Sequence, residues 1–297
     1  MTRPGRALVA AALRDQSRLL HALRTTFAER GYLEVPTPCL VPSPALEPFL
    51  HPLRAEGGYL RTSPEFALKR ALATGVGRIY EIGSCFRARE AGPWHRTEFL
   101  MCEWYRPGAS LDDLMDEVEA LVGAAAEALD RPPPRFERRL VADVFEAATG
   151  LDPRTATASE LSDVPESWDD AFARRWVTDV EPSLTEAVFL RDWPASQAAL
   201  ARVIPVAEGP TAMRFEAYLN GVELANAFLE LIDGPELRRR FDDANALRAS
   251  MGEPAHPVDD DLIEAVGRMP PTAGIAMGVD RLLAALTDSD GLRPTIP

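Results

Sequence analysis

Cysteine, positive charge and long apolar runs are all scarce in this sequence. Cys39, Cys85 and Cys102 are the three cysteines of 297 residues. An odd number without C-x-x-C spacing excludes a disulfide framework and a zinc site, so the three are read as packing residues. Lys plus Arg total 32 against 46 for Asp plus Glu, a formal net charge of −14. That is the wrong sign for a chain whose main partner is a polyanion, and it counts against tRNA binding. No run approaches the roughly 18 apolar residues that span a bilayer. Arg3, Arg6 and the stretch from Ala7 to Leu13 loosely mimic a signal peptide. The run stops at Arg14 and Asp15, however, and no small-residue cleavage site follows. Leu19, Leu20, Leu23 and Phe27 instead continue at helical spacing, so one amphipathic helix in a cytoplasmic protein is expected. What is present is an ordinary globular composition, 46% hydrophobic and 26% charged, with enough chain for one large domain carrying an insertion.

The opening helix, about 10–30, ends at Arg30-Gly31, and Tyr32 to Val35 reads as a short strand cut off by Pro36 and Pro38. Ser63-Pro64-Glu65 starts the next helix, with Ser63 as N-cap, Pro64 at the first helical position and Glu65 in the first turn. Two β-rich stretches, Arg78 to Arg87 and Glu98 to Arg106, flank a polar loop holding Gly92, Pro93 and His95, and read as an antiparallel pair. A helix follows at about 111–129. Pro132 to Pro134 then open an acidic, mainly helical insertion at about 131–190. Asn220-Gly221 marks a second strand pair between Met213 and Leu231. Gly274 to Leu286 reads as a strand running into a helix, and Ser289 to Pro297 as a loose tail.

Alternation along the strands collects unusual side chains on single faces. Glu81, Gly83, Cys85 and Arg87 share one face of the first strand; Phe99, Met101, Glu103 and Tyr105 share one of the second. Charge interleaved with apolar residues in this way points to a pocket wall, with solvated edge charges as the alternative. In the hairpin, a two-residue loop sets Tyr218 opposite Glu223 and Glu216 opposite Ala225, so Glu216 and Glu223 become diagonal neighbours. Two carboxylates so placed repel unless a cation sits between them, and hard oxygen ligands suit Mg²⁺ bridging phosphates; a solvated hairpin face is the competing reading. Asn226, Phe228 and Glu230 have the opposite parity to Glu223. All four can line one pocket only if a bulge falls between 223 and 226. Asp280-Arg281 sits where a strand turns into a helix, an arrangement that suits an anion.

These segments resemble, in order, the three motifs of the class II aminoacyl-tRNA synthetases, most closely the lysyl branch. Gly31 to Pro38 is similar to motif 1, Phe86-Arg87 through Glu98-Phe99 to Tyr105 to motif 2, and Gly274 to Arg281 to motif 3. The resemblance covers most of residues 10–286. It implies an α+β chain with the class II catalytic fold, an antiparallel β-sheet flanked by helices. In the sequence given, a single helix precedes motif 1, which leaves no room for an anticodon-binding domain. Together with Thr62 to Phe66, Pro194 to Ala198 and Gly221 to Asn226, that resembles the elongation factor P–(R)-β-lysine ligase family.

Position by position, the resemblance implies ATP and Mg²⁺ as cofactors and a lysine-type amino acid as substrate. Arg87 would meet the α-phosphate and the substrate carboxylate, Phe99 would stack on adenine, and His95 and Arg281 would hold the outer phosphates. Glu216 and Glu223 would hold Mg²⁺. Ser63 and Glu65 would serve the substrate amine, Asn226 its carboxylate region, and Glu103, Tyr105 and Glu230 its distal ammonium. Motif 2 departs from the family at Arg89, where a glutamate is usual, and at Arg96-Thr97; Glu90 is the candidate to replace that glutamate. Motif 3 has Ala276 where lysyl synthetases have glycine, and the methyl group is expected to disfavour α-lysine against a β-amino acid. The resemblance further implies a homodimer and elongation factor P as acceptor. A ligase with another acceptor and a silent paralogue are the alternatives, the latter disfavoured by the presence of Arg87, Glu216, Glu223 and Arg281.

Overall fold

The computed structural model describes residues 6–293 except 45, 91 and 208. Arg3 and positions 294–297 of the expected tail lie outside the described residues. Helix α1 (Arg6–Glu29) leads into strand β1 (Leu33–Glu34). Three short strands, β2 (Leu40–Val41), β3 (Arg54–Ala55) and β4 (Gly58–Leu60), then form a small sheet of order β2-β4-β3. Helix α2 (Glu65–Leu72) starts one residue later than expected, with Pro64 rather than Ser63 at the N-cap, and precedes the expected antiparallel pair, β5 (Ile79–Phe86) and β6 (Glu98–Pro107). Helix α3 (Leu111–Ala128) opens with a capping box between Ser110 and Asp113, which satisfies backbone donors the first turn leaves free.

The stretch to residue 190 holds β7 (Glu137–Leu140), helices α4 (Val141–Thr149), α5 (Ala158–Leu161) and α6 (Trp168–Arg175), and the first part of β8 (Val188–Pro194). Beyond it lie β9 (Val203–Val206), β10 (Gly209–Leu219), β11 (Val222–Leu229), α7 (Gly234–Ser250), α8 (Asp260–Val266), β12 (Thr272–Gly278) and α9 (Val279–Leu286). The main sheet runs β1-β5-β6-β12-β11-β10-β8-β7, with β9 also on β10. Its pairs are antiparallel except β1 with β5 and β7 with β8. The 131–190 region is therefore tied into the sheet edge, and its aromatic cluster of Phe145, Phe172, Trp176 and Trp193 takes in Tyr218 from β10.

The sheet has one dry face. Trp104, Ala225, Ala227, Ile275 and Met277 point into a core shared with α1, α3 and α9. Each large apolar side chain fully buried there stabilises by about 1.5–3 kcal/mol. Because side chains alternate, Glu103, Asn226 and Ala276 must point to the opposite face, where a pocket can form. Among the described residues no helix is long and apolar enough to cross a membrane.

Two further expectations, on the tail and on Cys39, are corrected. The tail is docked as far as Arg293: Leu292 donates its N–H to the Pro93 carbonyl at 2.7 Å, Arg96 bonds the Arg293 carbonyl, and Arg293 pairs with Asp15 at 3.2 Å. These contacts bridge elements far apart in sequence, so no local pattern announces them. Cys39 is exposed rather than packed, whereas Cys85 and Cys102 are buried.

Candidate active site

The hairpin turn has the geometry its dipeptide demands, with Asn220 at φ +52° and Gly221 at φ +76°. Leu219 faces Val222 and Tyr218 faces Glu223, but Ala217 then faces Ala225. Leu224 is the extra residue of a bulge, at the place where the parity of Glu223 and Asn226 required one. The bulge also corrects a pairing: Glu216 stands opposite Asn226, not Ala225.

Registers across five strands now align the candidate residues in rows. One row runs Glu216, Asn226, Ala276, Glu103, Glu81; the next runs Arg214, Phe228, Gly274, Tyr105, Ile79. Gly278 opposes Met101, which opposes Gly83. The two sets of side chains read from β5 and β6 thus share one face of the sheet. A cavity of about 350 Å³ lies over this face. Ser63, Glu65, Arg87, Glu90, His95, Phe99, Glu103, Tyr105, Glu223, Asn226, Glu230, Ala276 and Arg281 all line it. Glu216 does not line it and is buried in the wall behind.

Near Gly274 the cavity is acidic. Glu103 accepts from Ser63 Oγ at 2.6 Å and from the Tyr105 hydroxyl at 2.7 Å. Lys69, one turn beyond Glu65 on α2, puts its Nζ 2.5 Å from Glu65 and 2.6 Å from Glu230. Burial, with Glu65 nearby, pushes the Glu103 carboxyl up to about 8. Glu230 is pushed up to about 7 by burial, against the opposing pull of Lys69. The Glu65 to Lys69 spacing of four on a helix was the available signal for this lysine. Gly274 makes room for the acidic end, since a Cβ there would stand 2.3 Å from both Glu230 Oε1 and the Tyr105 ring.

Four residues along β12, about 13 Å at strand rise, the lining turns basic. Arg281, in the first turn of α9, donates to the Glu223 carbonyl at 3.1 Å and to its carboxylate at 3.3 Å. Its Nη2 lies 2.8 Å from Nε2 of His95. A guanidinium only donates, so that nitrogen accepts. Arg87 lies with its guanidinium carbon 5.2 Å from the Phe99 ring centre, donating to the Thr62 carbonyl at 3.4 Å. Arg89 has φ +62° and turns out to Glu253 at 2.6 Å. Strand β5 has ended at Phe86, so Glu90 is free to turn back into the cavity, 3.7 Å from Arg87.

Among the described residues no three His, Cys, Asp or Glu side chains gather as a metal cage. Glu216 and Glu223 fit a smaller demand, because Mg²⁺ typically takes one or two carboxylates and completes its shell with water and phosphates. Burial, opposed by Arg214 and reinforced by the charge of Glu223, raises Glu216 to about 7. A cation between the two would relieve that repulsion. Glu216 is also held by Arg214 and by the Tyr218 hydroxyl at 2.8 Å. Arg214 was missed from the sequence, although it lies two residues from Glu216 on the same face.

The profile of the family described as tRNA synthetases class II (D, K and N) matches residues 5–297. A protein of Yersinia enterocolitica named elongation factor P–(R)-β-lysine ligase is 37% identical, over 96% of this chain and 94% of its own length. Proteins of that name from Photorhabdus laumondii and Sodalis glossinidius are 40% and 35% identical, over 92% and 96% of this chain and 90% and 94% of their own lengths.

Proposed function

Since the chain belongs to the family of class II tRNA synthetases (D, K and N), we propose that it activates a lysine-type amino acid, (R)-β-lysine, with ATP and transfers it to a lysine side chain of elongation factor P. The observation that carries this reading is the polarity of one cavity along β12, acidic beside Gly274 and basic beyond Gly278. An amino acid with two ammonium groups suits the first end and a triphosphate the second.

The substrate carboxylate attacks the α-phosphorus and pyrophosphate leaves; the acceptor amine then attacks the acyl carbon and AMP leaves. Neither step needs a side-chain nucleophile. Positioning and charge neutralisation supply most of the acceleration. Arg87 would bridge the substrate carboxylate and α-phosphate, His95 and Arg281 would take the outer phosphates, and Phe99 and Glu90 would meet the adenine. Mg²⁺ on Glu216 and Glu223 would neutralise phosphate charge. Glu65 and Ser63 would hold the near amine, and Glu103, Tyr105 and Glu230 the distal one. Asn226 and Ala276, neighbours in one row, would frame the carboxylate end.

A protein acceptor is supported by the net charge of −14 and by the names of the relatives. A homodimer through the Gly31 to Pro38 segment is supported by Leu33, 52% exposed on a short edge strand. The deciding experiment incubates the protein with ATP, Mg²⁺ and (R)-β-lysine or α-lysine, and follows pyrophosphate exchange and the intact mass of added elongation factor P. Faster exchange with (R)-β-lysine and one added lysyl mass are expected. Exchange with label appearing on tRNA would replace the acceptor, and no exchange with any amino acid would mean a silent paralogue.

Binding should also depend on pH with a defined sign. Glu103 has its proton affinity raised in the free pocket, while an ammonium ligand favours its ionised form. Binding therefore releases protons, and affinity for the diamino acid should strengthen as pH rises from about 6 to 8, by at most tenfold per unit per proton. Glu230, raised to about 7 in the same site, adds to this proton release. Glu103→Gln should remove the portion above pH 7 in calorimetric titrations. Affinity that weakens over this range would refute the assignment.

A further inference from the structure

Arg214 lies at the back of the cavity wall, its side chain 13% exposed. Its guanidinium carbon stands 4.4 Å from the Trp193 ring centre and 5.9 Å from that of Phe228, so the plane is held between two aromatic side chains. Each nitrogen has a partner: Nε donates to Asn226 Oδ1 at 3.0 Å, Nη1 to the Gln197 carbonyl at 2.7 Å, and Nη2 to Glu216. The arginine is fixed before any ligand arrives.

A guanidinium has five donors and no acceptor, so the Asn226 atom that meets it can only be the carbonyl oxygen. The amide is planar, and its NH₂ must then point away from Arg214. Asn226 lines the cavity, and among the described residues its NH₂ has no other partner. We propose that Arg214 is a positioning residue that locks the Asn226 amide with its two donors facing the cavity, setting that wall to receive a carboxylate and not an ammonium. Without the lock, an asparagine can flip and offer either end at little cost. Asn226 sits in the row of Ala276 and Glu103, between the acidic end at Gly274 and the basic end beyond Gly278, and so decides which way round a zwitterionic substrate enters.

The consequence for the reaction rests on the proposed activation of an amino acid; the amide orientation does not. Two measurements separate them. In ¹⁵N-labelled protein, the Asn226 side-chain amide pair, assigned by its loss in Asn226→Ala, should be sharp and dispersed in the native chain and broadened or averaged in Arg214→Met. An unchanged pair overturns the proposal. In pyrophosphate exchange, Asn226→Ala should raise the amino-acid KM by about tenfold or more, as expected for a lost hydrogen bond to a charged group. Arg214→Met should raise it comparably, and the double variant should lie within about threefold of Asn226→Ala alone. Fully additive effects would mean that Arg214 acts otherwise and would overturn the proposal. An Asn226→Ala variant with unaltered KM would end the substrate contact, a failure of the functional reading, while the amide resonance still decides the hold of Arg214. Should Arg214→Met fail to fold, Arg214→Lys keeps the charge beside Glu216 but lacks the fork, and the same resonance and KM changes are expected.

Discussion

Gly274→Ala is expected to lower kcat/KM for amino-acid activation by about 10- to 100-fold, with the loss carried mainly by KM. Gly274 lies on β12, hydrogen-bonded to β6 on one side and β11 on the other, so its backbone cannot retreat. The added methyl carbon would stand 2.3 Å from Glu230 Oε1 and from Tyr105 Cε1, far inside van der Waals contact. Neither neighbour moves cheaply. Glu230 is 1% exposed and paired with Lys69, and Tyr105 is 2% exposed with its hydroxyl on Glu103. Overpacking of this kind costs about 1–3 kcal/mol, and tenfold in rate corresponds to about 1.4 kcal/mol. Thermal unfolding separates the effects: a folded variant with a modestly lowered Tm and a poorly saturable amino-acid dependence is expected. Unchanged kcat/KM would show that the substrate does not use the acidic end.

Arg87→Ala should lower pyrophosphate exchange by about 10²- to 10³-fold, the range for removing one pre-positioned electrostatic contact from a transition state. Arg87 is held loosely by its own protein, at 3.4 Å from the Thr62 carbonyl and 3.7 Å from Glu90. Its donors are thus aimed but not saturated, as a clamp for an arriving phosphate and carboxylate requires. Arg87→Lys should recover little, because a point ammonium cannot span two groups as the planar fork can. Measurement of exchange at saturating ATP and amino acid separates this loss from weakened binding. A residual rate within fivefold of the native protein would remove Arg87 from the reaction.

Much of this site was legible because its chemistry follows local rules. The parity clash between Glu223 and Asn226 demanded a bulge, and Leu224 is that bulge. Asn220-Gly221 demanded a hairpin turn with positive φ at both residues, and the backbone has it. The ordered motifs placed Arg87 and Glu103 by strand periodicity that can be counted and Arg281 where a strand runs into a helix, and all three line the cavity.

What the chain order could not carry is the set of partners made across it. Lys69 meets Glu230 over 161 residues, Arg214 is clasped between Trp193 and Phe228, and the Arg293 region closes on the loop at Pro93. Turn type and side-chain face are decided within a few residues by backbone sterics and alternation, so the sequence alone specifies them. Which charge neutralises which, how the Asn226 amide is turned and where Glu216 spends its lone pairs depend on burial. Burial exists only after the sheet has assembled, and tertiary structure alone decided them.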